Sequence, residues 1–185
     1  MPFPLLAARH QAAAWLAALL LTGLATAPAP ATAEPVPVPP YRGVTIRAAA
    51  DPELVLDVAG STTDDGARIH VQKYTGANDQ LWLPVPAGEN TFEIRNLHSR
   101  KCLDVRENSN TPDTDLIQYH CHDGPNQHWS LREAGDGLQL MAAGSRLCAD
   151  VFQDGDNEPT TGARLVQYTC SNPARNDQRW TYQPT

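Results

Sequence analysis

Three aspartates recur in the same company. Asp57, Asp104 and Asp150 are each followed by valine, and each stretch ends in a Gln-x-Trp signature: Gln80-Leu81-Trp82, Gln127-His128-Trp129 and Gln178-Arg179-Trp180. The aspartates lie 47 and 46 residues apart, and the tryptophans 47 and 51. A carboxylate accepts hydrogen bonds, and an amide both donates and accepts. Bonds to a charged partner are the stronger kind. Residue types of this sort recognise a polar ligand.

Other chemistry finds little support. His120-Cys121-His122 has the look of a metal cluster, but no second ligand pair stands at zinc-finger spacing. Asp154-Gly155-Asp156-Asn157-Glu158 is densely acidic but lacks the ligand spacing of a calcium loop. It falls where Asp150 to Gln178 spans 28 residues, against 23 in the other two copies, and reads as a solvated insertion. No Ser/His/Asp set, glycine-rich phosphate loop or carboxylate pair stands out. The expectation is a non-enzyme with no metal and no cofactor.

Repetition at a period of this size means one supersecondary unit repeated in space. The repeats run from Tyr41 to about Val85, Glu89 to Leu131, and Leu138 to Tyr182. Each opens on a short apolar stretch: Val44-Thr45-Ile46, Phe92-Glu93-Ile94 or Leu138-Gln139-Leu140. The Asp-Val step follows, then a polar turn-rich segment, a β-rich run such as Leu116-Ile117-Gln118-Tyr119, and the Gln-x-Trp. Short apolar runs bounded by turn formers predict an all-β domain. Three units of about four strands give about twelve, which closure into a barrel or sandwich relieves of free edges.

Not all 185 residues belong to this domain. Residues 1–33 read as a secretory signal: Arg9 and His10, an apolar run from Ala12 to Ala25 too short to span a bilayer, then Ala31-Thr32-Ala33. Residues 34–40 are a Pro-rich spacer, and 41–185 the folded domain. The repeats take up that length and leave no room for a catalytic domain. The net charge is −7, and −8 once Arg9 leaves with the signal. That excess argues against nucleic acid and anionic membranes as partners. The four cysteines suggest two disulfides in a secreted, extracellular protein. Cys102 and Cys148 stand two before Asp104 and Asp150, and Cys121 and Cys170 stand at the matching far ends. The first repeat has Val55 and Tyr74 there instead. Joint absence is what a pair within one repeat shows, so the pairing is Cys102–Cys121 and Cys148–Cys170.

The strings KCLDV…LIQYHCHDGPNQHW and LCADV…LVQYTCSNPARNDQRW resemble the ricin-type β-trefoil lectins, from about Tyr41 to Tyr182. The resemblance implies a β-trefoil of three pseudo-symmetric four-stranded repeats, each with one shallow sugar pocket. It places those pockets on Asp104, Tyr119 and Asn126 with Gln127 behind, and on Asp150, Tyr168 and Asp177 with Gln178 behind. In the first repeat they fall on Asp57, Gln72, Asp79 and Gln80, and the stacking aromatic is missing. Tyr74 shares Gln72's strand face and is offered as its substitute or as filler for the absent disulfide. An aromatic ring covers the apolar face of a pyranose, while carboxylate and amide meet its hydroxyls. The expected partners are glycans or polysaccharides, bound chiefly by the second and third repeats.

Structural roles compete for some of these residues. The three glutamines recur even where the aromatic is lost, and so mainly hold a local hydrogen-bond network. Trp82, Trp129 and Trp180 are core residues. Asp57 reads as structural. Two other functions stay open for the whole chain: a protein-interaction or targeting subunit of a multi-chain toxin, with a protein partner chain, and an inhibitor of secreted hydrolases.

Overall fold

The computed structural model describes residues 43–153 and 157–185. The expected signal, the spacer and Asp154–Asp156 of the acidic segment lie outside the described residues. Among the described residues twelve strands follow one another in chain order. The first repeat holds β1 (Val44–Ala48), β2 (Leu54–Val58), β3 (Ile69–Lys73) and β4 (Trp82–Gly88). The second holds β5 (Thr91–Asn96), β6 (Cys102–Val105), β7 (Thr114–Tyr119) and β8 (Trp129–Ala134). The third holds β9 (Gly137–Ala142), β10 (Cys148–Val151), β11 (Leu165–Tyr168) and β12 (Trp180–Pro184).

The first and fourth strands of the repeats close a six-stranded antiparallel barrel. Its pairs are β1 with β4, β4 with β5, β5 with β8, β8 with β9, β9 with β12, and β12 with β1. Closure leaves these strands no free edge. The second and third strands form three hairpins: β2–β3, β6–β7 and β10–β11. The hairpins also touch one another, through β7–β11 and through bridges from Arg68 to Ile117 and His70 to Arg164. This is the β-trefoil.

The recurring residues join hairpin to barrel. Trp82, Trp129 and Trp180 are fully buried. Their Nε1–H groups donate to the carbonyls of Leu56, Leu103 and Ala149 at 3.1, 3.0 and 3.2 Å. Those are the residues just before the three aspartates, so each indole fixes the strand that presents a carboxylate. Both expected disulfides are present, Cys102–Cys121 and Cys148–Cys170. Each ties the start of a hairpin's first strand to the segment after its second.

Candidate functional site

The glutamines of the Gln-x-Trp signature act as hubs. Gln80, Gln127 and Gln178 donate through Nε2 to the carbonyls of Lys73, His120 and Thr169 at 2.9, 3.0 and 3.0 Å. Their Oε1 atoms accept from the backbone N–H groups of Thr75, His122 and Ser171. The second Nε2 hydrogen goes to the repeat's own aspartate: to Asp57 Oδ2 at 2.7 Å, Asp104 Oδ2 at 2.7 Å and Asp150 Oδ2 at 2.6 Å. Gln127 and Gln178 are fully buried. They orient the carboxylates and do not line the cavities.

What happens at the other carboxylate oxygen differs between repeats. In the second, Asn126 Nδ2 also donates to Asp104 Oδ2, at 2.9 Å, and among the described residues no donor reaches Oδ1. A cavity of about 530 Å³ opens there, lined by Asp104, Tyr119 and Asn126 together with Ile117, His122 and Gly124. The sequence-derived trio is thus brought together. Burial pushes the Asp104 carboxyl up from its ordinary value, against the hydrogen bonds from Gln127 and Asn126. His122 was set aside with the metal cluster, yet it forms part of the wall. Its Nδ1 accepts from the Gly124 N–H at 2.9 Å, so the proton sits on Nε2, 3.6 Å from Asp104 Oδ2. Gly124 leaves room for the two side chains that flank it. A Cβ there would lie 2.4 Å from His122 Cε1 and 2.5 Å from Asn126 Oδ1.

In the third repeat, Arg175 stands three before the glutamine, where the second has Gly124. Arg175 Nη2 donates to Asp150 Oδ2 at 3.0 Å and Nε to Asp177 Oδ1 at 3.2 Å. Its guanidinium carbon lies 5.6 Å from the centre of the Tyr168 ring. The cavity is smaller, about 320 Å³, and is lined by Asp150, Tyr168, Asp177 and Arg175 with Phe152 and Asp113. Burial raises Asp150 to about 6; Asp177 adds to the rise, while Gln178 and Arg175 oppose it. Burial raises Asp177 as well, despite Arg175.

In the first repeat the aspartate is engaged from within the hairpin. His70 stands opposite Asp57 on the hairpin, where the other repeats have Ile117 and Val166. Its Nε2 lies 2.9 Å from Asp57 Oδ1, so both carboxylate oxygens are engaged. Asp79 accepts a hydrogen bond from Ser61 Oγ. Among the described residues the Gln72 side chain accepts only from the Lys73 N–H. Tyr74 is exposed and carries Arg47 over its ring, with 4.9 Å from the guanidinium carbon to the ring centre.

One further pair of residues escaped the sequence reading. Gln118, beside Tyr119, donates to the carbonyls of Thr62 and Asp64, both at 2.9 Å. Gln167, beside Tyr168, does the same to Ser109 and Thr111, both at 2.9 Å. Each clasps a loop of the preceding repeat and brings Gly66 or Asp113 to the rim of the next repeat's cavity. The first repeat has Val71 at this position and no such clasp. A glutamine immediately before the tyrosine of the β-rich run is the signal that marks it.

Among curated proteins nothing matches the chain. A designed threefold-symmetric protein, ThreeFoil, superimposes with a TM-score of 0.71 at 30% identity, over 77% of this chain and 99% of its own. The exo-β-1,3-galactanase 1,3Gal43A of Clostridium thermocellum matches with a TM-score of 0.72 at 25% identity, over 80% of this chain and 31% of the enzyme. A Polyporus squamosus lectin, solved with the epitope Neu5Acα2-6Galβ1-4GlcNAc bound, shares the fold with a TM-score of 0.65 at 20% identity, over 80% of this chain and 50% of the lectin. The model of the ricin-type beta-trefoil lectin domain-like family matches residues 38–119, 78–161 and 125–185. Those three overlapping matches follow the three repeats, and the chain belongs to that family.

Proposed function

We propose that the protein is a secreted, non-catalytic carbohydrate-binding protein whose second and third repeats each hold one sugar residue. The observation that carries this is the half-used carboxylate. Asp104 Oδ2 is fixed by two amides, while Oδ1 meets no donor among the described residues and lies beside an aromatic ring and a cavity. Two adjacent sugar hydroxyls can donate to such an oxygen, and Tyr119 can cover the apolar face of the ring. Asp150 and Tyr168 repeat the arrangement with Arg175 beside them. In the first repeat His70 supplies internally the bond a hydroxyl would make, which speaks against a sugar there. The sugar-bound Polyporus lectin has the same fold. Two disulfides and the character of residues 1–33 support secretion.

Single open pockets bury few ligand atoms and bind weakly. Two of them on one rigid domain make the second contact to a polymer intramolecular. The natural ligand is therefore a polysaccharide or a dense glycan surface. A glycan array with the intact protein and with Tyr119→Ala/Tyr168→Ala tests the reading. Binding is expected to disappear in the double variant, and undiminished binding would place the ligand elsewhere.

A further inference from the structure

Beside the second cavity lies a group of side chains that sugar recognition does not use. Glu93 on β5, Asp123 in the turn after Cys121, and His128 just before β8 each offer one ligand atom, and these atoms lie within 4.8 Å of one another. Glu93 is 7% exposed. Arg95 donates to its Oε2 from Nε at 2.9 Å and from Nη2 at 2.6 Å, which balances one of the two carboxylates. Asp123 has no ion pair among the described residues. His128 Nε2 is buried and has no hydrogen-bond partner there. Buried polar atoms are nearly always satisfied, and an orphan points to a missing water or ion.

The other repeats show that this group is not part of the common frame. Thr45 and Gln139 stand where the second repeat has Glu93, and Leu81 and Arg179 where it has His128. In the third repeat Gln139 Nε2 donates to the Ser171 carbonyl at 3.2 Å and to Gln178 Oε1 at 3.0 Å, so the position closes on itself. Glu93 replaces that donor with an acceptor and faces a second carboxylate.

We propose that Glu93, Asp123 and His128 form a site for one divalent transition-metal ion of the zinc class. One imidazole nitrogen and two carboxylate oxygens are ligands zinc accepts at roughly 2.0–2.2 Å, with water in the remaining position. Those radii put ligand atoms roughly 3.4 Å apart. The exposed Asp123 side chain can swing to close the group from its present spread of up to 4.8 Å. Calcium is disfavoured, since it takes about six to eight oxygens. The ion would link β5, the 121–124 turn and the start of β8. That turn carries His122 and Gly124 of the second cavity, so metal would stiffen the wall. Sequence spacing does not reveal the site, because its donors come from three separate segments.

The test is calorimetric titration of tag-free, disulfide-intact protein with zinc chloride and separately with calcium chloride. The variants Glu93→Gln and His128→Leu introduce residue types found at the equivalent positions of the other repeats. Asp123→Asn changes an exposed side chain whose loss does not threaten the fold. His120→Ala breaks the competing His120/His122 pair. The expected result is one zinc per protein, at least about tenfold weaker binding in each of the first three variants, undiminished binding in His120→Ala, and no comparable heat with calcium. A rise in Tm with zinc that is absent in Asp123→Asn gives an independent readout. Absence of zinc binding, full affinity in His128→Leu, or loss in His120→Ala would each overturn the proposal.

Discussion

Replacing Asp104 by asparagine separates what this carboxylate does for the fold from what it does for a ligand. Its Oδ2 accepts from Asn126 and Gln127, which are 7% and 0% exposed. Removing the acceptor altogether, as Asp104→Ala does, strands two buried N–H groups at about 1–3 kcal/mol each, or roughly 2–6 kcal/mol together. Asparagine keeps an oxygen in that place. Each of the two bonds then loses about 1 kcal/mol of charge assistance. Against that, the carboxylate is disfavoured by burial, as its raised pKa shows, and the neutral amide relieves this strain. The two effects oppose each other, and Asp104→Asn should stay within about 1 kcal/mol of the parent in a urea melt. Binding behaves otherwise. The amide nitrogen now sits where Oδ1 faced the cavity, and the charge-assisted acceptor is gone at a cost of about 1.5–3 kcal/mol. That is a roughly 10- to 100-fold weaker second pocket. Calorimetry with a glycan drawn from the array, in a Tyr168→Ala background that silences the third repeat, isolates the site. An Asp104→Asn protein as unstable as Asp104→Ala, or one that binds within twofold of the parent, would refute the reasoning.

Three more tests address the inequality of the repeats. Asp150 has its folded-state pKa raised from 3.8 to about 6, so the folded chain holds a proton that the unfolded chain has released between those values. Stability should therefore fall as pH rises across that window, by up to ~3 kcal/mol, and level off above it. Ligand binding at the third repeat should run the other way and weaken below about pH 6, and melts and titrations in which Asp150→Asn retains the same slope would contradict this assignment. Gly124→Ala forces a methyl group against His122 and Asn126 and should cost about 1–3 kcal/mol together with most second-pocket affinity, read by melting and calorimetry. His70→Ile with Gln72→Tyr frees Asp57 Oδ1 and restores the stacking ring, so the number of sugars bound per chain should rise by one; an unchanged stoichiometry would show that more than His70 closes that pocket.

Much of the architecture is written in local pattern. The strands, their order and the disulfide pairing follow from three aligned copies, because a side chain's burial in a strand alternates and each copy must bury the same face. Trp82, Trp129 and Trp180 stand out for the same reason, since one aromatic per unit fills the common core. The resemblance groups Asp104, Tyr119 and Asn126, and Asp150, Tyr168 and Asp177, and each group lines one cavity; it also marks the missing aromatic at Gln72.

The missing aromatic at Gln72 already set the first repeat apart, but the bonds that engage or free each carboxylate were not legible, since they join atoms that meet across the sheet or between repeats. His70 reaches Asp57 only because β2 and β3 pair in that register. Arg175 reaches both Asp150 and Asp177 only when the turn before Gln178 folds back over them. Gln118 and Gln167 wall each cavity with a loop from the repeat before it. Spacing along the chain carries the period of a strand and of a repeat. A carboxylate's free oxygen is instead set by directional bonds a few ångströms long between segments far apart in sequence, and only the assembled trefoil brings those segments together.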